Sequence, residues 1–168
     1  MSAALSIAQD SANLMALSEL QKRVNALVKK RVKVGWFPGL EYENGESVAT
    51  VAIKNEFGLG VPARPFMRPA VANNKDKWTK TAKILSKDYL DKNISANQLF
   101  NGIGSVMIFD IQQAIIDVHE PPLAASTIAR RLAKYKKGSK STTTLAKPLI
   151  DTTQMITAVN MEIEDNGN

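Results

Sequence analysis

The sequence predicts an α+β fold, a small antiparallel sheet packed with long amphipathic helices. Two short stretches of alternating apolar and polar residues, near 32–37 and 158–164, supply strands from distant parts of the chain. Between and before them, three long segments carry apolar residues at three- and four-residue spacing. With 168 residues and a 44% hydrophobic share, the chain fits one domain with a real core, 1–168. Within it, 1–30 reads as an N-terminal helical extension and 133–146 as a mobile basic loop.

In residues 12–30, Leu17, Leu20, Val24, Leu27 and Val28 form one face, with Glu19, Gln21, Lys22 and Arg23 mostly off it. That stripe is expected on the domain's own core, the other outcome being a second subunit. Lys29, Lys30 and Arg31 are expected in the helix's last turn, where cations complement its dipole. Val32 and Val34 alternate with Lys33 before Trp36 and Phe37, a strand stopped by Pro38-Gly39. Asn44-Gly45 marks a hairpin tip or exposed loop. Ser47 is suited to cap a short helix to about Glu56, with Gly58 just past its end.

The stretch Asn55–Ala70, NEFGLGVPARPFMRPA, holds three prolines and two glycines yet also Phe57, Phe66 and Met67. Each proline fixes its own φ and biases the preceding residue to extended geometry, so Val61, Arg64 and Arg68 are expected in a stiff, extended arm laid over a surface. Trp78, Ala82, Leu85 and Tyr89 then mark a helix over Asn73–Lys92. Ser95 and Gln98 have capping-box spacing and open a helix to about Val118, whose broad apolar face implies burial on more than one side. Gly102 and Gly104 cost that helix about 1 kcal/mol each relative to alanine, which close approach of another backbone would offset. His119-Glu120-Pro121-Pro122 ends it, and Ser126-Thr127-Ile128 starts a short helix through Leu132. Residues 147–155 read as a turn or a single helical turn with Asp151 or Thr152 as cap, before the strand that pairs with 32–37.

Seven of the 22 basic residues lie between Pro121 and Ile150, where there is no acidic one, so the remaining 15 face all 16 acidic residues. Such local basicity suits a phosphate backbone or an acidic protein face, or is simply a solvated loop. No run of 18 apolar residues marks a membrane span, and MSAALSIAQD has no signal-peptide pattern. Without cysteine there are no disulfides or thiolate metal sites, and the lone His119 makes no zinc centre. Gly58-Leu59-Gly60 lacks the lysine of a phosphate loop, and Glu41 with Glu43 and Glu162 with Glu164 sit in solvent-facing contexts. No catalytic residue, metal or cofactor is therefore expected, and an enzyme, such as a hydrolase, is a distant third reading.

The run Asn55-Glu56-Phe57-Gly58, the track Pro62-Ala63-Arg64-Pro65-Phe66-Met67-Arg68-Pro69-Ala70, Trp78 and Lys147-Pro148-Leu149-Ile150-Asp151-Thr152 together resemble the neck and tail-completion proteins of tailed bacteriophages. Leu123–Arg131 is similar to that family's L-x-x-S-T-x-x-R-R element, and the match covers roughly residues 32–163. Thr153 stands where the family has glycine, and the segment before residue 30 lies outside the match. The resemblance implies a virion structural protein at the head–tail junction, assembled in the host cytoplasm: a connector, tail terminator or completion factor, as a homo-oligomeric ring, hexameric or dodecameric, around the DNA channel. Its implied partners are other neck, portal-side and tail-tube proteins and DNA passing without sequence reading. Phe66 and Met67 would be anchors on the domain or a neighbour, Arg64 and Arg68 charged partners of acidic faces, and Arg130, Arg131, Lys134, Lys136, Lys137 and Lys140 contacts to DNA or an acidic partner. The alternative is a non-specific nucleic-acid-binding module built on 130–147.

Overall fold

The computed structural model describes residues 2–136, 147–149 and 153–166, with the side chains of 2–11 and 134–136 outside that description. The element order is α1 (Ser2–Val28), β1 (Lys30–Gly35), α2 (Val48–Phe57), α3 (Met67–Leu90), α4 (Ala96–Asp117), α5 (Ala125–Lys136), α6 (Gln154–Thr157) and β2 (Asn160–Asp165). The α+β class holds, with the described helices around one two-stranded antiparallel sheet.

β1 and β2 pair in the register Val32 opposite Ile163 and Val34 opposite Met161. Alternation sends these four toward the helices and leaves Arg31 and Lys33 with Glu164 on the outer face, at 2.9 and 2.7 Å. Lys30 pairs with Asp165 at 2.9 Å. Lys30 and Arg31 thus belong to the strand, not to the last turn of the preceding helix, because cross-strand carboxylates hold them.

α3 and α4 form an antiparallel hairpin, with Leu85 over Gly102 and Trp78 reaching Asp110. The expected capping box is present: Gln98 N–H donates to Ser95 Oγ at 3.2 Å and Ser95 N–H to Gln98 Oε1 at 2.8 Å. Asp110 is buried in the apolar face of α4, accepting from Lys77 Nζ at 2.6 Å and Trp78 Nε1 at 2.7 Å. That pairing offsets the desolvation of its charge. By length and composition α4 alone among the described helices is apolar enough to cross a membrane, but it packs on α3, α6 and both strands.

Two apolar clusters result. One gathers Val48, Ala52, Phe66, Ile111, Ile115 and Met155 around Trp36, whose ring meets Phe66 edge-on at 5.5 Å and whose indole N–H donates to Met155 O at 2.8 Å. The other joins Tyr89, Leu99 and Phe100 to Leu27, Leu85 and Ile163.

Several boundaries move for local reasons. α3 starts at Met67, six residues earlier than expected, so Arg68 is helical and the extended arm ends at Phe66. Pro69 is tolerated there because first-turn N–H groups have no intrahelical acceptor to lose. Ser47 holds the N-cap position of α2 without a side-chain cap bond; instead the Val48 N–H donates to Leu40 O at 3.0 Å. α5 extends to Lys136, so Ala133–Lys136 is helix rather than loop, and 137–146 lies outside the described residues. The caps Asp151 and Thr152 also fall outside them; Thr153 takes the position before α6 with φ 61°, the left-handed region where glycine is favoured.

Most of the stripe of α1 is not on the core. Leu27 packs on the second cluster and Arg23 stacks over the Tyr89 ring at 4.2 Å, while Leu14, Leu17 and Val28 are more than half exposed.

The helix glycines are explained by side chains, not by a second backbone. A Cβ at Gly104 would collide with the Met161 sulfur and lie 3.2 Å from Val32 Cγ2, while one at Gly102 would meet only the end of Leu85 at 2.9 Å. Gly104→Ala is expected to lower stability by about 1–3 kcal/mol through overpacking against the sheet. Gly102→Ala should stay within about 1 kcal/mol of the parent, since helix propensity gained offsets the shift of a flexible leucine. Urea unfolding of both variants checks the contrast.

Candidate functional site

α2 ends at Gly58, whose φ of 74° lets its N–H reach Lys54 O at 2.8 Å. Any side chain there would also strike Ala63, because its Cβ would lie 2.9 Å from the alanine Cβ. The reversal brings the proline track back along α2, where the Arg64 N–H donates to Asn55 O at 2.7 Å. It also aims the start of α3 at the last turn of α2.

Phe66, in the N-cap position of α3, has no acceptor in its side chain. Glu56 supplies one from ten residues upstream. Its Oε2 accepts from the Phe66 and Met67 N–H groups at 2.7 and 2.9 Å, and its Oε1 from the Arg68 N–H at 3.1 Å and Arg68 Nε at 2.9 Å. Arg68 also donates to Glu56 O at 2.9 Å and lies over the Phe57 ring at 5.2 Å. Burial pushes the Glu56 carboxyl up. The Phe66 amide, the Arg68 guanidinium and the Met67 and Arg68 amides together outweigh that, holding it below the usual carboxylate range.

Arg64 and Arg131 extend this junction. Arg64 is buried and donates to Pro121 O at 2.9 Å and Pro122 O at 3.2 Å, fixing the segment that leads into α5. Burial and the charge of Arg131 lower its affinity for the proton. Arg131, also buried, donates to Lys147 O at 2.8 Å and Pro148 O at 3.3 Å, and Lys147 Nζ returns to Ile116 O at 3.2 Å. Glu56 thus joins the NEFG corner to the proline track, Arg64 joins the track to Pro121-Pro122 just before the L-x-x-S-T-x-x-R-R element, and Arg131 joins that element to the K-P-L segment. Beside them an open groove of about 580 Å³ is bordered by Tyr42, Asn55, Arg130, Arg131 and Leu149.

The expected interface and contact residues divide accordingly. Phe66 is a core residue, 1% exposed, and Met67 packs against the same cluster, so both anchor the domain itself. Arg64 serves internal carbonyls rather than an acidic face, since a buried guanidinium must find acceptors where it lies. Arg68 is charge-paired to Glu56 of its own chain rather than to an acidic face of a partner. Arg131 is turned inward and withdrawn from any DNA or partner surface, whereas Arg130 is exposed. Lys134 and Lys136 lie on α5, and Lys137 and Lys140 fall outside the described residues. His119 is exposed, and no group of three metal-ligating side chains occurs among the described residues.

Sequence reading missed Glu56 and Asp110. The signal for Glu56 was a helix start, Phe66-Met67-Arg68-Pro69, with no Ser, Thr, Asp or Asn to cap it. No protein-family model matches the chain, and no curated protein or solved structure matches it.

Glu56→Gln is expected to cost about 2 kcal/mol at neutral pH, because charge-assisted bonds to amides and guanidinium become neutral ones. A carboxyl depressed in the fold stabilises it above the unfolded value, ~4.3, and that contribution is lost as pH falls through the folded value. The gap between parent and variant should therefore narrow on acidification below about pH 4, in chemical denaturation run at a series of pH values. Glu164, held low by Lys33 and Arg31, lies on the solvent side of the sheet and contributes little to that limb. A gap independent of pH would contradict the assignment.

Proposed function

We propose that this chain is a structural subunit of a tailed-phage virion, forming a ring at the head–tail junction as connector, terminator or completion factor. One observation carries the reading: four of the five sequence elements behind the resemblance are linked in series through the polar bonds of Glu56, Arg64 and Arg131, the fifth, Trp78, bonding Asp110 instead. Residues that resemble a family for a shared fold are expected to cooperate in space, and these do. The chemistry they perform is positional. Glu56, Arg64 and Arg131 direct their polar atoms to backbone groups of the same chain, fixing four segments against one another. Such over-determined junctions suit a subunit that must present rigid faces to neighbours on several sides.

An exposed apolar stripe on α1 supports an assembly role, since a monomer gains nothing by holding it in water. The basic stretch adds a weak contact with passing DNA to the same reading. Arg130 is available for it and Arg131 is not, which leaves the separate nucleic-acid-binding alternative with a smaller charged surface than its sequence offered.

Deleting the gene from a phage that encodes this chain is expected to leave heads and tails that do not join, visible by negative-stain microscopy. Joined, infective particles lacking the chain would overturn the reading.

A further inference from the structure

Resting on the ring reading, we propose that α1 of one subunit docks on the α2–α3 corner of the next copy, a head-to-tail contact between two different apolar surfaces. On α1, Leu14, Leu17, Leu20, Val24 and Val28 cover an arc of about 120° at 3.6 residues per turn, and all are exposed. Arg23 and Leu27 mark the side that touches the body, and the arc turns away from it. Every described side chain from 12 to 22 is exposed, so the helix overhangs its own domain.

The second surface is the corner. Ile53 and Phe57 lie one turn apart on α2, Leu59 and Val61 follow in the track, and all four are exposed. A chain that buries Phe66 and Glu56 a few residues away leaves these four in water, beside a junction rigid enough to present them.

Geometry decides that the two surfaces belong to different copies. α1 is tied to the C-terminal end of α3 through Arg23 and Tyr89, whereas the corner is tied to its N-terminal end through Glu56 and Met67. The 22 helical steps from Met67 to Tyr89 put these ends roughly 33 Å apart at about 1.5 Å per step. α1 does not fold back onto the corner, so each subunit offers one surface at either end. Contacts of this heterologous kind close into rings when the rotation per step allows it. At roughly 100 Å² for each of nine side chains, the pair hides about 900 Å² of apolar surface before any polar rim, close to the ~1,000 Å² a specific interface needs. An α1–α1 pairing would hide five side chains from each copy, a comparable area, but would leave the corner in water and stop at a dimer.

The chain has no cysteine, so single thiols can be placed cleanly. Full-length Leu17→Cys and Phe57→Cys proteins, each alone and mixed, are treated with a flexible bis-maleimide at concentrations spanning those at which sedimentation detects assembly. The expected result is covalent dimer in the mixture, little in either single sample, and a ladder of higher products from the double variant. Cross-linking of Leu17→Cys alone would show α1 paired with itself and overturn the proposal. Assemblies without the mixed product would overturn this interface and leave the ring reading standing. Absence of both assembly and product at every concentration would count against both, and the gene-deletion phenotype then separates them.

Discussion

Glu56 takes the first amides of α3 and the Arg68 guanidinium, and so ties the end of α2 to the start of the longest helix that packs on α4. The rest of the fold depends on that carboxylate. A helix beginning with Phe, Met, Arg and Pro has no local cap, and its positive N-terminal end lies against apolar core. Supplying that end with a buried anion lets Phe66 enter the core against Trp36 and sets the direction of α3. Everything that α3 positions, the Gly102 and Gly104 contacts of α4 and the sheet beyond them, inherits that direction.

Much of this was legible in the sequence, and the exceptions share a cause. The strands, the Trp78 helix, the Ser95–Gln98 box and the Gly58 turn each depend on spacing within a few residues, which periodicity and cap chemistry report directly. The bonds of Glu56, Arg64, Asp110 and Arg131 depend on which distant backbone or side-chain groups end up buried beside them. Charge in a sequence is read as surface by default, yet these four are buried and satisfied internally. The start of α3 was misplaced for the same reason: the proline rule is local, but the acceptor that makes a helix start possible there is ten residues away.

The chain is bonded inside and leaves apolar surface uncovered outside. Its buried polar groups hold segments in register, while two of its exposed apolar patches lie toward opposite ends of α3. That distribution suits the proposed building block: bonded junctions specify the shape of one copy, and the separated patches are where the proposal places the next. The phage-neck resemblance gives this arrangement a setting, and the proposed ring rests on the two together.

Amide hydrogen exchange at Phe66, Met67 and Arg68 tests the central claim most directly. If the Glu56 carboxylate organises the fold, these three N–H groups, at the very start of a helix, exchange only through the global opening that also exposes the core of α4. Exchange at the rate of a frayed helix end, with α4 still protected, would contradict the account.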